Sequence, residues 1–225
     1  MIDFEALKTT LLSDDPNAFI RLEDIPAIDL YMDQVTTLMD DHLSGMKRHP
    51  EDKILTKTMI QNYTKNRLLP PPEKKKYSRE HVLLLLFIYY LKDFMSIGDI
   101  RTLTEPLSEA CFAPEECRPS IEAVYEEVLS LAKSRREPTQ EELTKTMEAA
   151  GETFPDAPPE DAGLLRSISL IGALSYDILV RKRLIERLVD QLAADAEAEK
   201  NRGRQDLPSP KEKKKTKNRQ DEEKS

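Results

Sequence analysis

Tryptophan is absent from this 225-residue chain, and glycine (6) and cysteine (2) are scarce. The glycines are scattered, so no glycine-rich loop is available to cradle a phosphate. Cys111 and Cys117 have five residues between them, without the CxxC spacing of a zinc site, and no histidine is close in sequence. Two reduced cysteines in a cytoplasmic protein is the expectation, with no metal and no cofactor. The N-terminus, MIDFEALKTT, lacks the basic and apolar regions of a signal peptide. The longest uninterrupted apolar run, Val82 to Leu91, is too short to span a bilayer, so no membrane partner is expected. The carboxylate pairs Glu115-Glu116 and Glu126-Glu127 have no accompanying nucleophile or ligand set, and no enzyme is expected.

Charge is abundant and unevenly placed. Charged residues make up 34% of the chain, on helical periodicity, which predicts an all-α class. The net charge is −8, yet residues 46–81 carry ten basic and four acidic side chains, while residues 1–45 carry two basic and ten acidic. A local excess of positive charge in an acidic protein points to a confined anion-binding face.

The periodicity predicts a short helix over 3–12 (Phe4, Leu7, Leu11), a loop to Ala27, and a helix capped by Asp29 and ending near Ser44. That helix would bury Tyr31, Val35, Leu38, Met39 and Leu43. Thr56 can cap a further helix whose inward face holds Leu55, Met59, Ile60 and Tyr63, with Asn66 as a left-handed stop. The opposite face shows Lys57, Thr58, Gln61, Asn62 and Lys65. Lys suits phosphate contact, and Gln or Asn suits base-edge reading. Pro70-Pro71-Pro72 forces an extended exit, and a loop with Lys74, Lys75 and Lys76 ends at Tyr77. Ser78 caps a helix that is apolar on every side, with His81 expected at the surface of its first turn. Ser96 caps the next, with Ile97, Ile100, Leu103 and Leu107 turned to the core.

Ile54 to Leu107 resembles the winged helix-turn-helix of MerR-type transcription regulators. That family's Thr-Ile-Arg-Tyr-Tyr segment is matched by Met59-Ile60-Gln61-Asn62-Tyr63, and its Gly-Leu-Leu-Pro-Pro by Arg67-Leu68-Leu69-Pro70-Pro71. Tyr77-Ser78 matches the end of the family's wing. Phe94-Met95-Ser96-Ile97-Gly98-Asp99-Ile100 matches the start of its next helix. The resemblance implies that the helix near Lys57 to Lys65 enters the major groove and that the lysine-rich wing follows the backbone. The whole block is also similar to a low-GC Gram-positive bacterial family catalogued as a domain of unknown function.

Past Pro114, helices are expected from Pro119-Ser120 to Ser134 (Ile121, Val124, Tyr125, Val128, Leu131 inward) and from a Thr139–Glu142 capping box to Gly151. From Glu160 to about Lys200 apolar residues recur every seventh position: Leu164, Ile171, Ile178, Ile185 and Leu192. Such a stripe predicts either a homodimer seam or a helix docked on its own domain. The expected organisation is an N-terminal helix and linker (1–27) and a winged helix-turn-helix DNA-binding domain (28–110). A helical dimerisation or signal-receiving region (111–202) and a disordered charged tail (203–225) follow. The function expected is a sequence-specific transcription regulator on double-stranded DNA. Its contacts would come from Lys57, Thr58, Gln61, Asn62, Lys65, Arg67, Lys74, Lys75, Lys76 and Arg79. The alternative is an adaptor whose basic face meets an acidic protein.

Overall fold

A computed structural model of the chain describes residues 19–112 and 119–205 with Ala6 and Thr9; for 109–112 and 203–205 it describes the backbone alone. Of the expected helix over 3–12 only Ala6 and Thr9 are described, both helical; the side chain of Cys111, the whole of Cys117 and the tail beyond Gln205 lie outside what is described. Among the described residues the chain is mostly helical, with two short strands, and its class is all-α.

Strand β1 (Leu30–Tyr31) was not expected. It pairs antiparallel with β2 (Lys76–Tyr77), Leu30 facing Tyr77 and Tyr31 facing Lys76. Because these residues are extended, helix α1 (Met32–Leu43) starts late. Its N-cap is Tyr31 rather than Asp29, and the Tyr31 N–H donates to Gln34 Oε1 at 2.8 Å. Val35, Met39 and Leu43 are fully buried, whereas Tyr31 is 53% exposed and leaves the predicted stripe.

Helix α2 (Lys57–Lys65) begins as its sequence requires, with Thr56 Oγ1 accepting from Met59 N at 3.2 Å. Its end differs from expectation. Asn66 stays near the right-handed region, and Arg67 takes the left-handed conformation at φ 61°. Leu68 N–H reaches Tyr63 O at 2.9 Å and Arg67 N–H reaches Thr64 O at 3.1 Å, the paired bonds of a Schellman ending.

Helix α3 (Arg79–Leu91) is the centre of the fold: Val82 to Leu86 and Ile88 are all but inaccessible. His81 is buried too, contrary to its expected surface position. Its Nδ1 accepts from Ser78 N–H at 3.1 Å, which closes the N-terminus of the helix. Helix α4 (Ile97–Phe112) opens on reciprocal bonds between Ser96 and Asp99. Ile100 and Thr104 face the core, but Ile97, in the first turn, is 47% exposed.

Helix α5 (Ile121–Ser134) has the predicted bounds, with Ser120 Oγ accepting from Ala123 N–H at 3.3 Å. Its buried face is rotated from the expected one: Ile121 and Tyr125 are buried as expected, Leu129 joins them, and Val128 and Leu131 are exposed. Tyr125 fixes the rotation. Its hydroxyl donates to Ile20 O at 2.7 Å, and its ring meets Phe87 of α3 edge-on at 5.7 Å. Ile20 N–H in turn donates to Tyr90 Oη at 3.2 Å. One core therefore runs from Ile20 and Ile25, through α1 to α4, to Leu129. It crosses both boundaries of the expected 28–110 segment.

Helix α6 (Arg136–Gly151) starts three residues before Thr139, so the predicted capping box lies inside the helix; Pro138 is tolerated in the first turn. Helix α7 (Pro159–Gln205) has 47 residues. Met147 and Ala150 of α6 pack with Leu170 and Leu174 of α7 in a second, smaller cluster. Chain contacts define two units, 1–183 and 184–225. In the second, Val189 is buried and Ile185 half-buried. The segment Pro159–Arg202 is long and apolar enough to cross a membrane by length and composition. Arg166 and Asp177 interrupt its most apolar stretch, so a count of uninterrupted apolar residues passes over it.

Candidate nucleic-acid interface

The polar face of α2 is what its periodicity predicts. Ile60 and Tyr63 are buried beneath it, with Leu55 just before the helix, and Lys57, Thr58, Gln61, Asn62 and Lys65 are exposed. Packing requires none of those five side chains. Lys57 nevertheless has a partner, because its Nζ forms an ion pair with Asp33 of α1. Both groups are well exposed, so the pair contributes at most about 1 kcal/mol. It also sets a carboxylate beside the first turn of α2. Sequence reading missed Asp33, since an acid in the first turns of a predicted helix reads as solvated.

After the triple proline the chain folds into a tight hairpin. Glu73 bridges to Lys76, with Lys76 N–H donating to Glu73 O at 2.8 Å, and Lys74 and Lys75 form its tip at φ 49° and 67°. Two consecutive left-handed residues are the geometry of a type I′ turn, which favours Asn-Gly. Lysine there carries a Cβ against the neighbouring carbonyl, at roughly 1–2 kcal/mol per residue. Arg67 faces the same cost at the end of α2, where glycine is the usual residue. The described residues hold four non-glycine positions with positive φ, and three are these exposed cations; the fourth is Phe154.

Lys76 is half-buried on β2, with its Nζ 5.4 Å from the centre of the Tyr31 ring. Tyr31, read from sequence as core, instead stands exposed beside the hairpin. The strand pairing that places it is too short to leave a period-two signal. Arg79 points inward. Its Nη2 donates to Leu22 O at 2.6 Å, and its Nε is buried without a hydrogen-bond partner among the described residues. It ties the turn at Leu22–Asp24 to the start of α3 and leaves the set of solvent-facing cations.

His81 connects the proline exit to α3. Burial lowers its pKa, and the backbone of Pro71 and Pro70, with Glu80 and Asp29, pulls part of that shift back. Its ring meets Tyr77 edge-on at 5.7 Å. Among the described residues no three His, Cys, Asp or Glu side chains are grouped to hold a metal ion.

Residues 20–128 match the family model described as Domain of unknown function (DUF1836). The match begins at the first core residue, Ile20, and ends one residue before the last core residue, Leu129. No curated protein and no solved structure matches the chain.

Proposed function

We propose that residues 20–128 form a winged helix-turn-helix of MerR-like type and that the protein is a sequence-specific DNA-binding transcription regulator. α2 would lie in the major groove with Gln61 and Asn62 toward base edges. Lys57, Thr58, Lys65 and Arg67 would meet phosphates, and Lys74, Lys75 and Lys76 would follow the adjacent backbone. The reading is carried by one observation: Arg67, Lys74 and Lys75 are exposed cations at backbone positions that favour glycine or asparagine. Strain of that kind persists where the side chain has work to do. Anion binding at a solvent-facing edge is work that three cations share.

The test separates stability from binding. Arg67→Gly, and Lys74→Asn with Lys75→Gly, relieve the strain and should raise stability by about 0.5–1 kcal/mol per site. The same changes should weaken binding to every DNA sequence in a gel shift, and lower the dependence of log K on log salt by about 0.9 per lost contact. Variants that are more stable and bind with an unchanged salt slope would remove these residues from the interface.

One observation favours a second reading. Asp33 stands on the face that a phosphate would approach, paired with Lys57. An adaptor surface that mixes charges to meet an acidic protein tolerates such a carboxylate more readily than a DNA surface does. Selection of genomic fragments by the full chain discriminates: enrichment of one sequence supports the regulator, and none supports the adaptor.

A further inference from the structure

The first half of α7 presents an apolar face that the described residues leave uncovered. One side of this helix is docked: Leu170 and Leu174 pack with Met147 and Ala150, Arg166 Nε donates to Thr153 O at 3.2 Å, and Arg181 pairs with Glu142 at 2.9 Å. On a neighbouring face Leu164, Ile168, Ile171 and Ile178 are each more than half exposed, with Ser175 completing the three-and-four spacing. Gly172 adjoins this stripe, and among the described residues, its chain neighbours and its own helix backbone aside, no heavy atom lies within 4 Å of the place its Cβ would take. Glycine inside a helix costs about 1 kcal/mol relative to alanine, and nothing in the described chain uses the space.

We infer that this face pairs with the same face of a second copy, antiparallel, centred near Ile171 and Ser175. The charges at its two ends choose the occupant and the direction. Glu160 and Asp161 flank the stripe at its start, and Lys182 and Arg183 flank it at its end, 22 residues and about 33 Å along the helix. A parallel partner sets Lys182 against Lys182 and Glu160 against Glu160. An antiparallel partner layers Ile168 on Ile178 and Ile171 on Ser175, each twice, as the two-fold symmetry of a self-complementary interface demands. It also brings Glu160 and Asp161 of each helix within about one turn of Lys182, Arg183 and Arg187 of the other, a basic group that outweighs the single Glu186 lying opposite Glu160. The seam is shorter than the sevenfold repeat suggests, because Ile185 is half-buried and Val189 buried. Lipid is a poorer occupant, since the docked side and the Arg166 and Arg181 contacts would have to separate for this segment to span a bilayer. The inference does not depend on the DNA-binding reading.

Charge reversal tests it on the full chain, at exposed positions where folding, checked by circular dichroism, is expected to survive. By light scattering the protein should be a dimer at micromolar concentration. Glu160→Lys with Asp161→Lys, and separately Lys182→Glu with Arg183→Glu, should each raise the dimer Kd about tenfold or more. Mixing the two variants should restore dimerisation, because every end then meets its opposite. A monomeric parent protein would overturn the inference, and so would reversals without effect, the signature of parallel pairing. A parent that sediments with phosphatidylcholine vesicles and does not dimerise would overturn it in favour of lipid.

Discussion

His81 shows what a single buried titratable group does to this fold. Its Nδ1 accepts the Ser78 N–H, so the proton of the neutral ring sits on Nε2, and the buried site holds the pKa below the usual histidine value. The unfolded chain titrates near pH 6.5. As pH falls through that value the unfolded state takes up a proton that the native state resists, and stability is lost until the lower native pKa is passed. Above about pH 6.5 this contribution to stability is complete; below it, the loss reaches at most about 1.4 kcal/mol per pH unit. His81→Gln keeps an N3 side chain able to accept the Ser78 N–H, as in a capping box, and does not titrate. Urea unfolding of the two proteins from pH 7.5 to 5 should show the parent losing stability relative to the variant. Parallel curves would mean that His81 is not the group responsible.

At the scale of elements, α2 was legible because its cap, its apolar spacing and its exit all reside within about fifteen residues. What was hidden depended on partners far along the chain. β1 is two residues whose only signal is a pairing with Tyr77 and Lys76, and Tyr31 continues the i, i+4 spacing of Val35 and Met39, so it passed for core. In α5 both Ile121-Tyr125-Leu129 and Val124-Val128-Leu131 keep helical spacing. The choice falls to the first because Tyr125 can reach the Ile20 carbonyl. The candidate site was legible as composition, but the left-handed backbone of Arg67, Lys74 and Lys75 was not, since no glycine or asparagine marks those positions. If α2 reads bases as proposed, Gln61→Ala or Asn62→Ala should cut the preference for the selected sequence over random DNA by about 1–3 kcal/mol, with thermal stability nearly unchanged. Asp33→Asn should act in the opposite sense. With its carboxylate gone, Lys57 gains a phosphate contact, so affinity for all sequences rises and the salt slope steepens by up to about 0.9. Competition binding at three salt concentrations reads both effects, and an Asp33 variant that binds more weakly would place Lys57 outside the interface.

For the whole molecule, the question is where the folding unit ends. Residues 28–110, the segment that its motifs mark out, omit Ile20, Ile25, Ile121, Tyr125 and Leu129, all of them in the core with α3. Burying a large apolar side chain contributes about 1.5–3 kcal/mol, so the five together supply roughly 10 kcal/mol, comparable to the entire stability of a small domain. Their loss also bares the core faces of Phe87 and Tyr90, which meet Tyr125 and Phe19 edge-on. A fragment of residues 28–110 should therefore be unfolded or aggregated, without a cooperative thermal transition. A fragment of residues 19–135 keeps the full cluster and ends where the Arg135 N–H closes α5 on Leu131 O at 3.2 Å; it should unfold cooperatively. Calorimetry of the two distinguishes this from a self-sufficient 28–110 domain, which would melt cooperatively by itself. If 19–135 also failed to melt, the α6–α7 hairpin with its own Met147, Ala150 and Leu170 cluster would be part of the same cooperative unit.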